Sequence, residues 1–159
     1  MTESLYLADF LAGLTLEASP RGLRAIRFGR RLGVDQPGPM VLTAERQLRE
    51  YFSGDRRSFD LPLDLEGTPF QLTVWRALQE IPYAKTSSYR DIAIVVNRPR
   101  GYQAIGQANT RNPVPIVVPC HRVINADGSL GGYGGGLDRK RELLQLEAAH
   151  AHRFRETAA

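Results

Sequence analysis

The chain is poor in cysteine: a single residue, Cys120, stands in 159 positions. One thiol cannot form an intramolecular disulfide, so nothing in the sequence marks an oxidising compartment. The first residues include Glu3 and Asp9 where a secretory signal would carry basic side chains. No apolar run approaches the roughly 18 residues that a membrane span needs. We therefore expect a cytoplasmic protein that makes no membrane contact.

Histidine is also scarce, and residues 1–66 contain neither histidine nor cysteine. Of the soft metal ligands, Cys120 and His121 are adjacent and rarely chelate one ion together, and the other two histidines lie near the end of the chain. The stretch GGYGGG at 131–136 does not follow a strand and open a helix as a nucleotide-binding loop would. The sequence therefore predicts neither a metal nor an organic cofactor.

Positive charge is concentrated in one short segment. The net charge is +4, and residues 85–111 alone account for it, with five basic side chains against Asp91: Lys85, Arg90, Arg98, Arg100 and Arg111. Clustered basic residues are the electrostatic footprint of nucleic-acid binding. A solvated face would carry the same charges, so charge alone leaves both interpretations open.

The first third of the chain has the pattern of a sheet followed by a helix. Three β-rich runs, SLYLADF, LTLEAS and GLRAIRFG, are separated by turn residues. In VLTAERQLREYF the apolar residues Leu48, Tyr51 and Phe52 share one helical face. The stretch that follows lacks periodicity, so we predict an N-terminal α/β domain over residues 1–63 and a second domain over residues 64–159.

The second part contains three predicted helices. The first begins with a capping box of Thr68 and Gln71, and Trp75 on its apolar stripe is expected in the core. The second begins at Ser88, and YQAIGQANTRN predicts the third after a turn that contains proline and glycine. Two helices joined in this way, with arginines around the turn, are typical of a helix-turn-helix, although many helical hairpins never contact DNA.

Cys120 ends a proline-rich segment, PVPIVVP, which suits an irregular or edge position because proline has no N–H donor. Two interpretations of the thiol remain open here. In the first, Cys120 fills a gap in the core, since free cysteine is among the most buried residue types. Alternatively it is a nucleophile, with His121 acting through a water and Glu147 orienting the imidazole. Residue chemistry alone favours the first interpretation.

Two further elements follow the cysteine. GGYGGG predicts a loop that holds one aromatic residue, Tyr133. RKRELLQLEAA predicts a closing helix with Leu143, Leu144 and Leu146 turned inward.

The string NPVPIVVPCHRVI, with TPFQLTVWRALQEIPY before it and GGYGGGLDRKRELLQLE after it, closely resembles the O6-alkylguanine-DNA alkyltransferases, also called methylated-DNA–protein-cysteine methyltransferases. The resemblance is dense from about residue 67 to 147 and looser over GLRAIRF and QLREYFSG. It implies an α/β (α+β) N-terminal domain, ribonuclease H-like, with a short antiparallel sheet. A mostly helical C-terminal domain with a winged-helix-like helix-turn-helix would follow.

The resemblance implies a DNA-repair protein that flips O6-alkylguanine out of duplex DNA and transfers the alkyl group irreversibly to Cys120, once per molecule. It leaves O4-methylthymine open as a second substrate. His121 would act as base through a water, and Glu147 would hold His121. The other implied roles are these: Asn112 ties the turn before the cysteine to the helix-turn-helix, Tyr89 helps to protonate the departing guanine, Tyr133 packs on the flipped base, Val123 meets the base edge through its backbone, and Gly134 and Gly135 border the substrate.

The implied partner is double-stranded DNA, with the second helix of the helix-turn-helix in its minor groove. The matched DNA-binding positions are Arg98, Arg100, Gln103, Ala104, Gly106 and Arg111. Small residues at 104, 106 and 108 would allow a close approach to another helix or to a phosphodiester backbone. We expect a monomer, and the sequence leaves open whether several copies bind DNA cooperatively.

Two positions depart from the family's pattern. Gln103 stands where members usually have an arginine that fills the gap left by the flipped base. Glutamine lacks the charge and the planar guanidinium, so we expect weaker lesion capture with the chemistry intact. Gly134 stands where many members have serine, which removes a hydroxyl and keeps the backbone N–H. Gln103 also keeps open a second function, a non-catalytic module that flips the lesion and recruits other repair factors.

Overall fold

A computed structural model describes residues 2–30 and 33–154. Strands and helices follow one another in this order: β1 (Glu3–Leu7), β2 (Leu14–Ser19), β3 (Gly22–Phe28), α1 (Pro39–Phe52), α2 (Pro69–Leu78), β4 (Ser87–Ser88), α3 (Tyr89–Val95), α4 (Tyr102–Thr110), a 3₁₀ turn (Cys120–Arg122), β5 (Val123–Ile124), α5 (Leu137–His150) and a second 3₁₀ turn (Ala151–Phe154).

The first three strands form an antiparallel sheet in the order β1-β2-β3. Helix α1 packs on this sheet, and Leu14 and Leu16 of β2 are fully buried together with Leu48 and Tyr51 of α1. Burial of these side chains removes apolar surface from water and holds the sheet and the helix together.

The first strand is shorter than its sequence pattern predicts. SLYLADF predicts extended chain as far as Phe10, but β1 ends at Leu7. Leu11 and Ala12 have positive φ angles of 50° and 64°, so the chain turns there before it returns as β2.

Helices α2, α3 and α4 pack together, and α3 and α4 form the predicted helix-turn-helix. The capping boxes predicted at Thr68 and Ser88 are both present. Trp75 of α2 is buried, as expected, and its indole N–H donates to the Ala108 carbonyl of α4 at 2.9 Å. The predicted fold class is therefore confirmed, while the domain limit between residues 63 and 64 stays a prediction.

The last helix faces the core differently from its predicted pattern. Helix α5 buries Lys140, Leu143 and Glu147, whereas Leu144 and Leu146 are only half-buried. Leu143 is buried and the half-buried Leu146 packs against the core, as predicted, while two ionisable side chains take the other buried positions of the inner face. Among the described residues, no helix is both long and apolar enough to cross a bilayer.

Candidate active site

Asn112 organises the loop that precedes the cysteine. Its side-chain N–H donates to the Val118 carbonyl at 2.8 Å, and its side-chain oxygen accepts from the Val114 N–H at 3.0 Å. The Val118 N–H donates to the Val114 carbonyl at 2.9 Å. These bonds join the end of α4 to the loop that leads to Cys120.

Ile116 within this loop has a φ angle of 77°. A β-branched residue in the left-handed region is strained, at a cost of about 1–3 kcal/mol, and persists only where the surroundings over-determine it. The Ile116 side chain is 1% exposed, so packing holds the backbone in this conformation. The chain therefore stores strain four residues before the thiol.

Cys120 is buried and begins the 3₁₀ turn Cys120–Arg122. The Asn109 side chain of α4 donates to its carbonyl at 3.2 Å. Burial raises the pKa of the Cys120 thiol to about 11, although Asn112, the Lys140 ammonium and the Tyr133 hydroxyl favour the thiolate. In the free protein the sulfur is therefore protonated at neutral pH, and its reaction needs a base.

His121 pairs with Glu147. Its Nε2 lies 2.7 Å from Glu147 Oε2, and both side chains are fully buried. Burial lowers the pKa of His121, against the opposing effect of Glu147, so the imidazole is neutral at pH 7. Within residues 2–30 and 33–154, His121 Nδ1 has no hydrogen-bond partner. With Nε2–H donating to the carboxylate, Nδ1 carries the lone pair and is available to accept a proton.

Glu147 also binds residues that the sequence reasoning missed. Arg122 donates from Nε to Oε1 and from Nη2 to Oε2, both at 2.9 Å. The Tyr51 hydroxyl donates to Oε2 at 2.6 Å, and the Ala84 N–H donates to Oε1 at 3.1 Å. Burial alone would raise the pKa of Glu147, but hydrogen bonds and charge from His121 and Arg122 outweigh it and lower the pKa to about 2. The carboxylate is therefore ionised at neutral pH.

Lys140 was missed as well. Its side chain is fully buried, and its ammonium group donates to the carbonyls of Val123 at 2.6 Å, Gly132 at 3.1 Å and Leu130. Burial lowers the pKa of Lys140 to about 8, partly opposed by Cys120. Lys140 thus ties the glycine-rich loop to β5. The available sequence signal was its position two helical turns before Glu147 on the same face.

A cavity of about 130 Å³ lies beside the thiol. Five of the predicted site residues line it: Asn112, Cys120, Tyr133, Gly134 and Gly135. Ile26 and Phe28 of β3 line it too, and no sequence signal predicted this because their apolar pattern indicates only a buried strand. The cavity is therefore shared between the N-terminal sheet and the reactive segment.

Tyr133 faces the sulfur from the glycine-rich loop. Burial raises its pKa well above the usual value, and the neighbouring Cys120 raises it further. Its hydroxyl is buried and makes no hydrogen bond with the described part of the chain. The phenol therefore keeps its proton and presents a polar group to the cavity.

A larger groove, about 1030 Å³, runs along the exposed side of α4. Four predicted site residues line it: Tyr89, Gln103, Gly106 and Arg111. Thr110 lines both the groove and the cavity, so the two adjoin at the end of α4. The Tyr89 hydroxyl donates to the Gly132 carbonyl at 3.4 Å, and burial raises the pKa of Tyr89.

Other predicted site residues lie apart from both spaces. Arg98, Arg100 and Ala104 are exposed and do not line the groove, and the Arg98 guanidinium lies 5.5 Å from the ring centre of Phe70. Val123 does not line the cavity, and its carbonyl is bound by Lys140. The contacts predicted for these residues stay predictions.

The small residues of α4 divide between two environments. Ala108 is buried against α2, whereas Ala104 is exposed and Gly106 lines the groove. Residues two positions apart on a helix point to different sides, so Gly106 does not share a face with Ala104 and Ala108. In the part of the chain that the structure describes, no group of three or more histidine, cysteine, aspartate or glutamate side chains could hold a metal ion.

Comparison with known proteins gives one family. Residues 69–149 match the family model described as 6-O-methylguanine DNA methyltransferase, DNA binding domain. A methylated-DNA–protein-cysteine methyltransferase of Methanosarcina barkeri is 58% identical over 65% of this chain, and the match spans 66% of that relative. One from Methanosarcina acetivorans is 54% identical over 91% of this chain and 99% of the relative.

Solved structures match the fold of this chain over nearly its whole length. The Mycobacterium tuberculosis O6-methylguanine methyltransferase is similar with a TM-score of 0.84 and 42% identity, covering 94% of both chains. A structure of the same organism's OGT in complex with DNA gives a TM-score of 0.83, again at 42% identity, covering 94% of this chain and 93% of that one.

Proposed function

The chain belongs to the methylated-DNA–protein-cysteine methyltransferase family, and from this premise we propose that it repairs DNA by transferring the alkyl group of O6-alkylguanine to Cys120. One observation carries the proposal: Cys120 lines a cavity that adjoins the groove of α4, and the next residue is a neutral His121 bound to Glu147. The nucleophile, the general base and the acid that orients it thus belong to one segment of the fold, beside a cavity that adjoins the groove.

The reaction is a displacement at carbon. Cys120 Sγ forms a bond to the alkyl carbon while the bond from that carbon to O6 breaks, and its electron pair stays with guanine. The thiol proton passes through a water to His121 Nδ1, and the Tyr89 hydroxyl supplies a proton to the leaving guanine. The proton on His121 then returns through water to the Tyr89 phenolate, so the net transfer is one proton from the thiol to guanine. The products are a thioether on the protein and unmodified guanine in the DNA.

The glutamate makes the histidine effective as a base. An imidazolium formed on His121 is stabilised by the Glu147 carboxylate 2.7 Å away. Because the pKa of free His121 is lowered by burial, the ring is neutral before reaction and ready to accept the proton.

Each molecule repairs one lesion. Water does not hydrolyse a thioether, and the chain contains no second cysteine that could take the alkyl group over. The protein is therefore consumed in the reaction it performs.

The groove along α4 is the proposed DNA contact. Arg90 and Arg111 supply positive charge at its lining, and Gln103 lies on the exposed side of the helix. We place α4 in the minor groove of duplex DNA with the lesion flipped toward Cys120, which costs least for a base that pairs badly. All the groups belong to one chain, so a monomer is the proposed active form.

A second candidate function rests on Gln103. A module that flips the lesion without reacting and recruits other repair factors would need the groove but not the thiol. The cluster of Cys120, His121 and Glu147 has no use in such a module, which favours alkyl transfer.

The experiment incubates the protein with duplex DNA that carries O6-methylguanine labelled in the methyl group. Label on the protein, at no more than one methyl per chain and absent in Cys120→Ala, is the expected result. Binding without label would instead support the recognition module. Label released repeatedly into solution would point to a hydrolytic enzyme and contradict the single-turnover mechanism.

A further inference from the structure

One wall of the cavity beside Cys120 comes from the N-terminal sheet. Ile26 and Phe28 of β3 line it together with the glycine-rich loop. We infer that Phe28 limits the size of the alkyl group that Cys120 accepts, an inference that rests on the proposed function. The N-terminal sheet would then set substrate range, in addition to supporting the fold.

The strand is fixed to the reactive segment by a backbone hydrogen bond. The Ile26 N–H donates to the Pro113 carbonyl at 2.9 Å, and the Ile26 side chain is 3% exposed. Pro113 directly follows Asn112, whose side chain organises the loop before the cysteine. The distance between the wall and the sulfur is therefore set by the backbone.

The Phe28 ring is held from two sides. The Tyr133 ring packs edge-on against it with centroids 6.1 Å apart, and the Arg139 guanidinium lies 4.7 Å above it. Arg139 is itself anchored, since it donates to the carbonyls of Leu11 at 2.8 Å and Gly135 at 3.0 Å. The Phe28 ring is thus held in place by Arg139 of α5 and by Tyr133 of the glycine-rich loop.

The loop also approaches the ring closely. A Cβ atom added to Gly135 would lie 2.5 Å from Phe28 Cε2, so only glycine fits at this position beside the ring. The Phe28 ring therefore cannot move toward Gly135 without displacing the glycine-rich loop.

This geometry restricts substituents on the reacting carbon. In an in-line displacement Sγ, the alkyl carbon and O6 lie on one axis, so any group larger than methyl extends sideways from that axis. The sideways space is bounded by the apolar wall of Ile26, Phe28 and Pro115. Each methylene that such a pocket accepts or rejects changes the rate by about 10- to 200-fold.

The test compares single-turnover rates on two duplexes that differ only in the lesion, O6-methylguanine or O6-benzylguanine. Phe28→Leu is expected to raise the benzyl-to-methyl rate ratio by about tenfold, because removing the ring opens the wall. Ile26→Val should raise the same ratio by a smaller factor. The matched control is Phe10→Leu, which replaces a phenylalanine stacked on Phe52 with centroids 4.3 Å apart, outside the cavity lining.

A rate ratio that is unchanged or lower in Phe28→Leu overturns the inference, whatever the result for Ile26→Val. Thermal unfolding of each variant checks the fold, and because the readout is a ratio within one protein, a general loss of active molecules cancels. If the wild-type protein takes up neither the methyl nor the benzyl group, the proposed function is overturned instead. The two failures are therefore distinguishable.

Discussion

Arg122 and Glu147 form a buried ion pair with two hydrogen bonds, Nε to Oε1 and Nη2 to Oε2, both 2.9 Å long. His121 binds the same carboxylate. One glutamate on α5 therefore fixes both residues that directly follow Cys120, and the 3₁₀ turn that carries the sulfur cannot shift without breaking this pair.

Replacing the carboxylate should destabilise the protein. In Glu147→Gln the Arg122 charge stays buried without a counter-charge, which typically costs about 3–5 kcal/mol in the free energy of unfolding. Denaturation in urea measures the loss. The control is Glu142→Gln, an exposed position on the same helix, where the change should stay within about 0.5 kcal/mol. Equal unfolding midpoints for the two variants would contradict a stabilising role for the pair.

The free thiol should react slowly at neutral pH. Because the pKa of Cys120 is raised to about 11, the thiolate fraction grows about tenfold per pH unit between pH 7 and 9. The rate of labelling by iodoacetamide should follow it. Lys140, with a pKa of about 8, loses its charge in this range and makes the upper part of the profile slightly shallower.

Cys120→Ala supplies the background rate for this profile, since the chain has no other cysteine. The phenols of Tyr89 and Tyr133 lie near the thiol, and they stay uncharged over the same range, as does the neutral His121 that follows Cys120 in the chain. A plateau near pH 9, as for an ordinary thiol with a pKa of about 8.5, would show that burial does not suppress the thiolate.

Removing the buried lysine should loosen the glycine-rich loop. In Lys140→Met the carbonyls of Val123, Leu130 and Gly132 lose their common donor, so Tyr133 is no longer held beside the sulfur. We expect alkyl transfer to slow by about 10- to 100-fold, the scale of a small misplacement in an active site. Amide hydrogen exchange over residues 125–133 should accelerate.

Arg141→Met is the matched control, because Arg141 is the next residue on α5, is exposed, and pairs with Asp138 three residues before it. It should leave both the exchange and the transfer rate nearly unchanged. If Lys140→Met slows transfer without faster exchange in the loop, Lys140 acts through its charge on Cys120 and not by positioning the loop.

Placing an arginine at position 103, as the resemblance implies for the family, should improve lesion capture. Gln103→Arg adds a planar cation on the exposed side of α4, and we expect tighter binding and faster repair of duplexes that carry the lesion. Gln107→Arg adds the same charge one turn further along the groove lining. Each variant should steepen the slope of the logarithm of the binding constant against the logarithm of the salt concentration by about one, because one more counterion is released from the DNA.

The two arginine variants separate charge from position. Only Gln103→Arg should raise the preference for damaged over undamaged duplex. If both variants gain equally on both duplexes, the added charge accounts for the effect and glutamine at 103 does not weaken lesion capture.

Local signals in the sequence were enough for much of the fold. Capping boxes at Thr68 and Ser88 depend on residues three positions apart, and both are present. The resemblance to a family assigned Cys120, His121 and Glu147 to one site; the structure pairs His121 with Glu147, and Cys120 begins the 3₁₀ turn that carries His121.

The buried charges could not be predicted in the same way. Arg122 is stabilised by a carboxylate 25 residues later, and Lys140 by carbonyls 8 to 17 residues earlier. A pattern rule assigns such side chains to the surface because it does not contain the partner. Phe28 shows the same limit for apolar residues: strand periodicity predicts that its neighbours are buried but not which cavity the strand borders.

The strained loop before the cysteine constrains how this position can change. Glycine at 116 would relieve the φ angle of 77° but would leave a hole where a fully packed isoleucine stood, at a cost of about 2–5 kcal/mol. Any other side chain would fill part of the hole and keep the strain. Neither exchange is neutral, so we expect Ile116 to tolerate single substitutions poorly. Substitutions should be tolerated more readily on the exposed side of α4.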